Sequence, residues 1–181
     1  MKDEEEHTIY TIGHSTHSIA VFLDVLHSFD IKILVDIRSL PGSRKFPQFN
    51  KEELMVSLAE VGIQYFHFAD LGGRRKVQKD SKNTRWNNPS FQGYADYMGT
   101  NEFEQGVTKL KHLALKERTV YMCSEAVWWR CHRSMVSDYL KAKHWKVLHI
   151  MGVGKLQEHR YTAPARVLDC SVFYSDENKM E

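Results

Sequence analysis

A single α/β domain, with a mainly parallel sheet of about five strands and helices on both faces, is what this 181-residue sequence predicts. Three observations carry the prediction. Runs of strand type alternate with runs of helix type along the chain, the pattern of parallel strands joined by helical crossovers. The run at 33–37 is almost continuously apolar, as a strand buried on both faces must be. No internal repeat and no low-complexity linker divides the chain, so 8–175 reads as one domain between an acidic tail at 1–7 and a polar tail at 176–181.

The first strand is the β-branched and aromatic run 8–12, ending at Gly13. Ile19, Phe22, Leu23, Leu26 and Phe29 then recur at helical spacing, with Ser15, Thr16 or Ser18 as the N-cap. The second strand is 33–37. Asn50 with Glu53 forms a capping-box pattern for a helix carrying Leu54, Leu58 and Val61, which Gly62 closes. The third strand is 65–68. Residues 74–90 are polar and aperiodic and read as the longest loop. Asn101 with Glu104 opens a helix carrying Phe103, Val107, Leu110 and Ala114. The fourth strand is 119–122, a helix follows from about 125 to 141, and 147–150 is the fifth strand.

With 42% hydrophobic and 12% aromatic residues the composition is that of a folded domain, not a disordered chain. The longest unbroken apolar run, 19–23, is far too short to span a bilayer, so no membrane association is expected. The acidic start argues against a secretory signal. Three cysteines, Cys123, Cys131 and Cys170, cannot all pair and show no double Cys-x-x-Cys spacing. A reducing compartment, the cytoplasm, is expected. The net charge of +2 does not by itself mark a nucleic-acid binder. Yet Arg74, Arg75, Lys76, Lys79, Lys82 and Arg85 face one acid, Asp80, within one segment. With Trp86 and the loop from Pro41 to Phe49 they could track a phosphate backbone, or form an ordinary solvated surface.

In open α/β sheets ligands bind beyond the carboxyl ends of the strands. The unusual residues fall there: Gly13-His14-Ser15, Asp36-Ile37-Arg38-Ser39, Asp70 to Gly73, and Cys123-Ser124-Glu125. The densest group runs from Cys123 to Arg133. A cysteine at a strand end facing a helix N-terminus has its thiolate stabilised, whereas a buried inert thiol is the bland alternative. Successive helical residues turn by about 100°, so Cys131, His132 and Arg133 cannot all face one pocket. A phosphatase loop is rejected, because six residues separate Cys123 from Arg130 and Glu125 would sit in the anion cradle. A rhodanese-type loop meets the same difficulty, although Asp36-Ile37-Arg38 resembles the Asp-x-Arg strand of that fold. Cys131-His132-Arg133 is similar to the core of DNA alkyltransferases, with Arg130 where proline is expected. No cofactor is required by the sequence. If zinc or iron is held, Cys123, Cys131, His132 and His14 are the candidate ligands, without a diagnostic spacing.

Taken together, Thr11-Ile12-Gly13-His14-Ser15, the stretch from Val35 to Arg44, Gly62-Ile63-Gln64-Tyr65, Leu71-Gly72-Gly73-Arg74, Cys123-Ser124-Glu125 and Cys131-His132-Arg133 resemble the family called domain of unknown function 488. The resemblance runs from about residue 8 to 174 and implies a fold and marked positions, with no reaction. Cys170 lies outside the signature and is expected to be structural.

The expectation is therefore an enzyme acting on an anionic partner, a nucleotide or nucleic acid, at the carboxyl edge of the sheet. Cys123 is the expected nucleophile, with Glu125 or His14 as acid/base and Asp36 beside them. Ser15, Arg38, Arg44, Gly72, Gly73, Arg74 and Arg133 are expected to hold the anion. The rivals are a noncatalytic nucleic-acid-binding module and a metal-dependent hydrolase or deaminase.

Overall fold

The computed structural model describes residues 7–176, so the two expected tails lie outside the described residues except for His7 and Asp176. Strands β1 (Thr8–Gly13), β2 (Ile33–Asp36), β3 (Gln64–His67), β4 (Thr119–Cys123) and β5 (Lys146–Gly152) pair in parallel. A sixth strand, β6 (Lys155–Glu158), turns back antiparallel on β5. The sheet order is β3-β2-β4-β1-β5-β6. β4 is thus inserted between the two strands that begin the domain, and its carboxyl end lies at the centre of the sheet edge. That is where the topology reverses, and where α/β sheets open a crevice.

Residues alternate between the two faces because successive side chains on a strand point oppositely. Leu34, Val120 and Met122 pack with Phe22 and Leu26 of α1 (Ile19–His27) and with Leu54 and Leu58 of α2 (Lys51–Glu60). Val35, Tyr121 and Cys123 pack on the other face. There they meet Tyr94 of α3 (Pro89–Met98), Phe103 and Leu110 of α4 (Asn101–Lys116), and Met135 and Leu140 of α5 (Arg133–Ala142). Helices cover both faces.

Several elements differ from the sequence reading, β6 among them. α3 lies in and beyond the expected loop. Asn88 caps it through Ser90 N, Pro89 opens it, and Phe91, Tyr94, Ala95 and Met98 repeat at helical spacing. The helix expected from about residue 125 begins only at Arg133, after a 3-10 turn at Trp128–Arg130. Trp128 holds that turn out of the helix by stacking on His149 of β5 at 4.5 Å. A hairpin of β7 (Arg166–Leu168) and β8 (Ser171–Phe173) was not expected. Its turn residues Asp169 and Cys170 have φ of 49° and 59°, so Cys170 is exposed on a hairpin tip. Asn50 precedes α2 as expected, yet its carboxamide accepts from Ser43 N at 2.6 Å and pins the preceding loop instead of capping the helix.

Candidate active site

The loops that follow β1, β2, β3 and β4 enclose a cleft of about 750 Å³ at the carboxyl edge. Its walls are close-fitted at two glycines. A Cβ at Gly13 would strike the carbonyl of Glu125, and one at Gly73 would strike the ring of His132. β1 also continues past its end as His14 N donates to Cys123 O and Ser15 N to Ser124 O.

Of the expected site residues, His14, Ser15, Arg38, Gly73, Arg74, Cys123 and Glu125 line this cleft, together with Cys131 and His132. Asp36, Arg44, Gly72 and Arg133 do not. Arg44 borders a separate shallow depression with Glu52 and Glu53. Gly72 is buried against Ser39. Asp36 is fully buried beneath Arg38, which donates to it from Nε at 2.9 Å and from Nη2 at 2.7 Å. Tyr65 donates its hydroxyl to the same carboxylate at 2.8 Å. Arg38 also donates to Phe49 O at 2.7 Å and, through Nη1, to His14 Nε2 at 3.3 Å. The pair is a fork-to-fork brace whose hydrogen-bonding capacity is largely spent within the fold.

His14 donates from Nδ1 to Ser15 O at 2.9 Å and stacks on Phe49 at 4.2 Å. Burial, aided by the Arg38 charge, lowers its pKa to about 4, so it is a neutral imidazole near neutral pH. His132 donates from Nε2 to Ile37 O at 3.1 Å, and burial likewise lowers it to about 4.

The floor of the cleft carries two thiols. Cys123 at the end of β4 and Cys131 at the entry to α5 have their Sγ atoms 2.7 Å apart, and both are buried. Burial pushes both thiols up. For Cys123 this is outweighed by the Cys131 S–H, the nearby Arg133 guanidinium and the backbone N–H of Glu125, which together hold it down at about 7. Cys131 is pushed well above the ordinary thiol range, first by burial and then by its partner. These influences favour negative charge on Cys123 over Cys131.

Arg133 lies beneath this floor, 2% exposed. It donates from Nη2 to Glu125 O at 3.3 Å. Among the described residues its Nε and Nη1 have no hydrogen-bond partner, and no carboxylate pairs with it. A buried cation without a counterion is costly. Its charge helps to lower the neighbouring Cys123 thiol. Arg133 itself does not line the cleft, whereas Cys123 does.

Sequence reasoning missed several cleft residues. Phe46, Ser39 and Ser43 come from the loop already singled out at 41–49 and its start. Phe91 and Ser90 come from α3, whose Asn-Pro opening was the available signal. Arg130 is exposed on the 3-10 turn, and with Arg74 it places free positive charge on the rim. The basic segment does not form one continuous surface. Arg75 folds over Tyr97 at 3.6 Å and donates to Gly72 O, while Arg85 bonds Pro164 O and Asp176. Asp96 ties the loop down by accepting from Gln78 N, Ser81 Oγ and Asn83 Nδ2. No three His, Cys, Asp or Glu side chains among the described residues come together as a set that could hold a metal ion. Cys123, Cys131, His132 and His14 thus share one cleft without forming a ligand cage.

The fold is an α/β domain with a cleft at its carboxyl edge in which two thiols lie in contact. The chain belongs to the family described as Domain of unknown function DUF488, whose model matches residues 18–140. That span runs from the cap of α1 to α5 and includes both cleft cysteines. No curated protein matches the chain, and no solved structure does. Among the described residues no helix is long and apolar enough to cross a membrane.

Proposed function

We propose that this protein is a thiol-dependent enzyme in which the Cys123 thiolate attacks an electrophilic centre of a small organic anion, a nucleotide being the type favoured. The observation that carries the reading is the buried, carboxylate-free guanidinium of Arg133 beside two thiols in contact, an arrangement that lowers the Cys123 thiol. Arg74 and Arg130 on the rim supply the charge that attracts the anion, and Phe46 and Phe91 supply flat apolar faces for its organic part. Glu125, on the loop that follows Cys123, is the group placed to exchange a proton with the substrate. His14 keeps its Nδ1 proton on Ser15 O and serves to seat Arg38 and the β1 loop.

Two alkylating probes of equal reach and different charge test the reading before any substrate is in hand. In a Cys170→Ser protein, iodoacetate and iodoacetamide compete for the cleft thiols. Cys123 should be alkylated first. Its preference for the anionic reagent should exceed that of free glutathione by about tenfold, equivalent to roughly 1.4 kcal/mol. Cys123→Ser should abolish the reaction. A Cys123 that alkylates no faster in the folded than in the urea-unfolded chain, or that disfavours iodoacetate, would sink the proposal.

A further inference from the structure

The Cys123–Cys131 contact has a chemistry that a simple nucleophile does not need. A lone catalytic thiolate requires a cation and N–H donors, which Arg133 and Glu125 already provide. Here a second buried thiol sits 2.7 Å away, and closing that gap to about 2.05 Å makes a disulfide. Cys131 is well placed to move. It has extended backbone, φ −139° and ψ 166°, between the 3-10 turn and α5, so a small rotation there breaks no regular helix. Both sulfurs line the cleft, so a small oxidant can reach them.

We propose that Cys123 and Cys131 form a two-cysteine oxidation site through which a hydroperoxide reversibly switches the cleft off. The inference rests on the same Cys123 thiolate as the proposed function and adds its regulation. The thiolate sulfur attacks the outer oxygen of the hydroperoxide, and the O–O bond breaks. The alcohol, or water from hydrogen peroxide, leaves with a solvent proton, and Cys123 becomes a sulfenic acid. Cys131 sulfur then attacks Cys123 sulfur. The S–O bond breaks, and water leaves carrying the Cys131 proton. Two thiols and one hydroperoxide thus yield one disulfide, one alcohol and one water. An external thiol reverses the step by disulfide exchange. Among the described residues no carboxylate pairs with Arg133, so oxidation of the thiolate leaves the buried guanidinium without a countercharge, which favours the return to thiolate. The disulfide should therefore yield to a monothiol such as glutathione.

The Cys170→Ser protein, reduced and then treated with equimolar hydrogen peroxide, gives a direct reading by intact mass after unfolding in N-ethylmaleimide. The expected product has lost two hydrogens and carries no maleimide. Glutathione should restore both labels. Adding Cys131→Ser should stop the reaction at a Cys123 sulfenic acid that dimedone traps. Sulfinic acid at Cys123 while Cys131 is present and unlinked would overturn the inference. So would a cross-link that forms no faster in the folded chain than in the unfolded one. Iodoacetate labelling of the same reduced sample separates the two proposals. Fast alkylation of Cys123 without a cross-link defeats the oxidation site and leaves the nucleophile standing. A cross-link with slow alkylation upholds the oxidation site and defeats the nucleophile.

Discussion

Two buried polar assemblies are built on α5, and they are finished to different degrees. The one around Asp138 is complete. Thr11 Oγ1 lies 2.8 Å from His149 Nδ1, His149 Nε2 lies 2.9 Å from His159 Nδ1, and His159 Nε2 lies 2.9 Å from Asp138. Asp138 also accepts from Thr162 N, Thr162 Oγ1 and Tyr174 OH. Every group has a partner, Trp128 stacks on top, and none of Thr11, His149, His159 and Asp138 lines the cleft. The assembly around Arg133, near the start of the same helix, leaves two guanidinium nitrogens unpartnered and opens through its thiols into the cleft. Satisfied networks specify a fold. An unsatisfied charge beside a reactive atom is a reserve that chemistry can use.

The comparison can be broken first at Asp138. Asp138→Ala leaves four donors without an acceptor, and chemical denaturation should show a loss of about 3–5 kcal/mol. A loss under about 1 kcal/mol would mean that the network is not a brace.

Acid should then expose the buried histidines in both regions. Burial lowers His14 and His132 to about 4 and His149 to about 2, against an ordinary value of about 6.5. Above pH 6.5 neither the folded nor the unfolded state protonates them, and their contribution to stability is intact. Below it the unfolded chain takes up protons that the folded state refuses, so stability falls as pH drops towards the folded values. Each histidine should contribute a loss of about 1.5 kcal/mol between pH 6.5 and 5. His149→Phe, though less stable throughout, should flatten the curve by roughly one histidine's share. A pH-independent unfolding free energy over that range would contradict the buried, neutral assignment.

The smallest effect in free energy is the most diagnostic. Arg133→Met should raise the midpoint of Cys123 alkylation from about 7 by one pH unit or more, roughly 1.4 kcal/mol. It should change stability by less than about 1 kcal/mol, because it removes a buried cation that the fold does not satisfy. A large loss of stability with an unmoved midpoint would make Arg133 a brace like Asp138. In the wild type the alkylation rate should rise through about pH 7 and fall away in acid, since the lowered thiol reprotonates there.

Much of the fold was legible in the chain because periodicity reports burial. The two-sided apolar run of β2 and the helical spacing of Phe22, Leu26, Leu54 and Leu58 led directly to a parallel sheet with helices on both faces. β6 to β8 were not legible, because short exposed strands bury too little to impose a pattern. α3 had its Asn88-Pro89 signal, hidden by the polar stretch before it. For the candidate site, the loop positions were readable from strand ends, and a one-dimensional reading placed His14, Arg38, Arg74, Cys123 and Glu125 on one edge.

Facing, pairing and partners were decided only in three dimensions. Arg38 and Arg133 are both arginines beside the site, but one is spent on Asp36 and the other is left with a thiol. Arg44 faces away with Glu52 and Glu53. Cys131 meets Cys123 because Trp128, stacking on His149 across the sheet, interrupts the helix that would have rotated the two thiols apart. The layers could be read from the chain alone, since side-chain spacing is a local property of each strand and helix. Which polar groups found partners, and which were left without one, depended on contacts between residues far apart in the chain, which only the packed structure supplies.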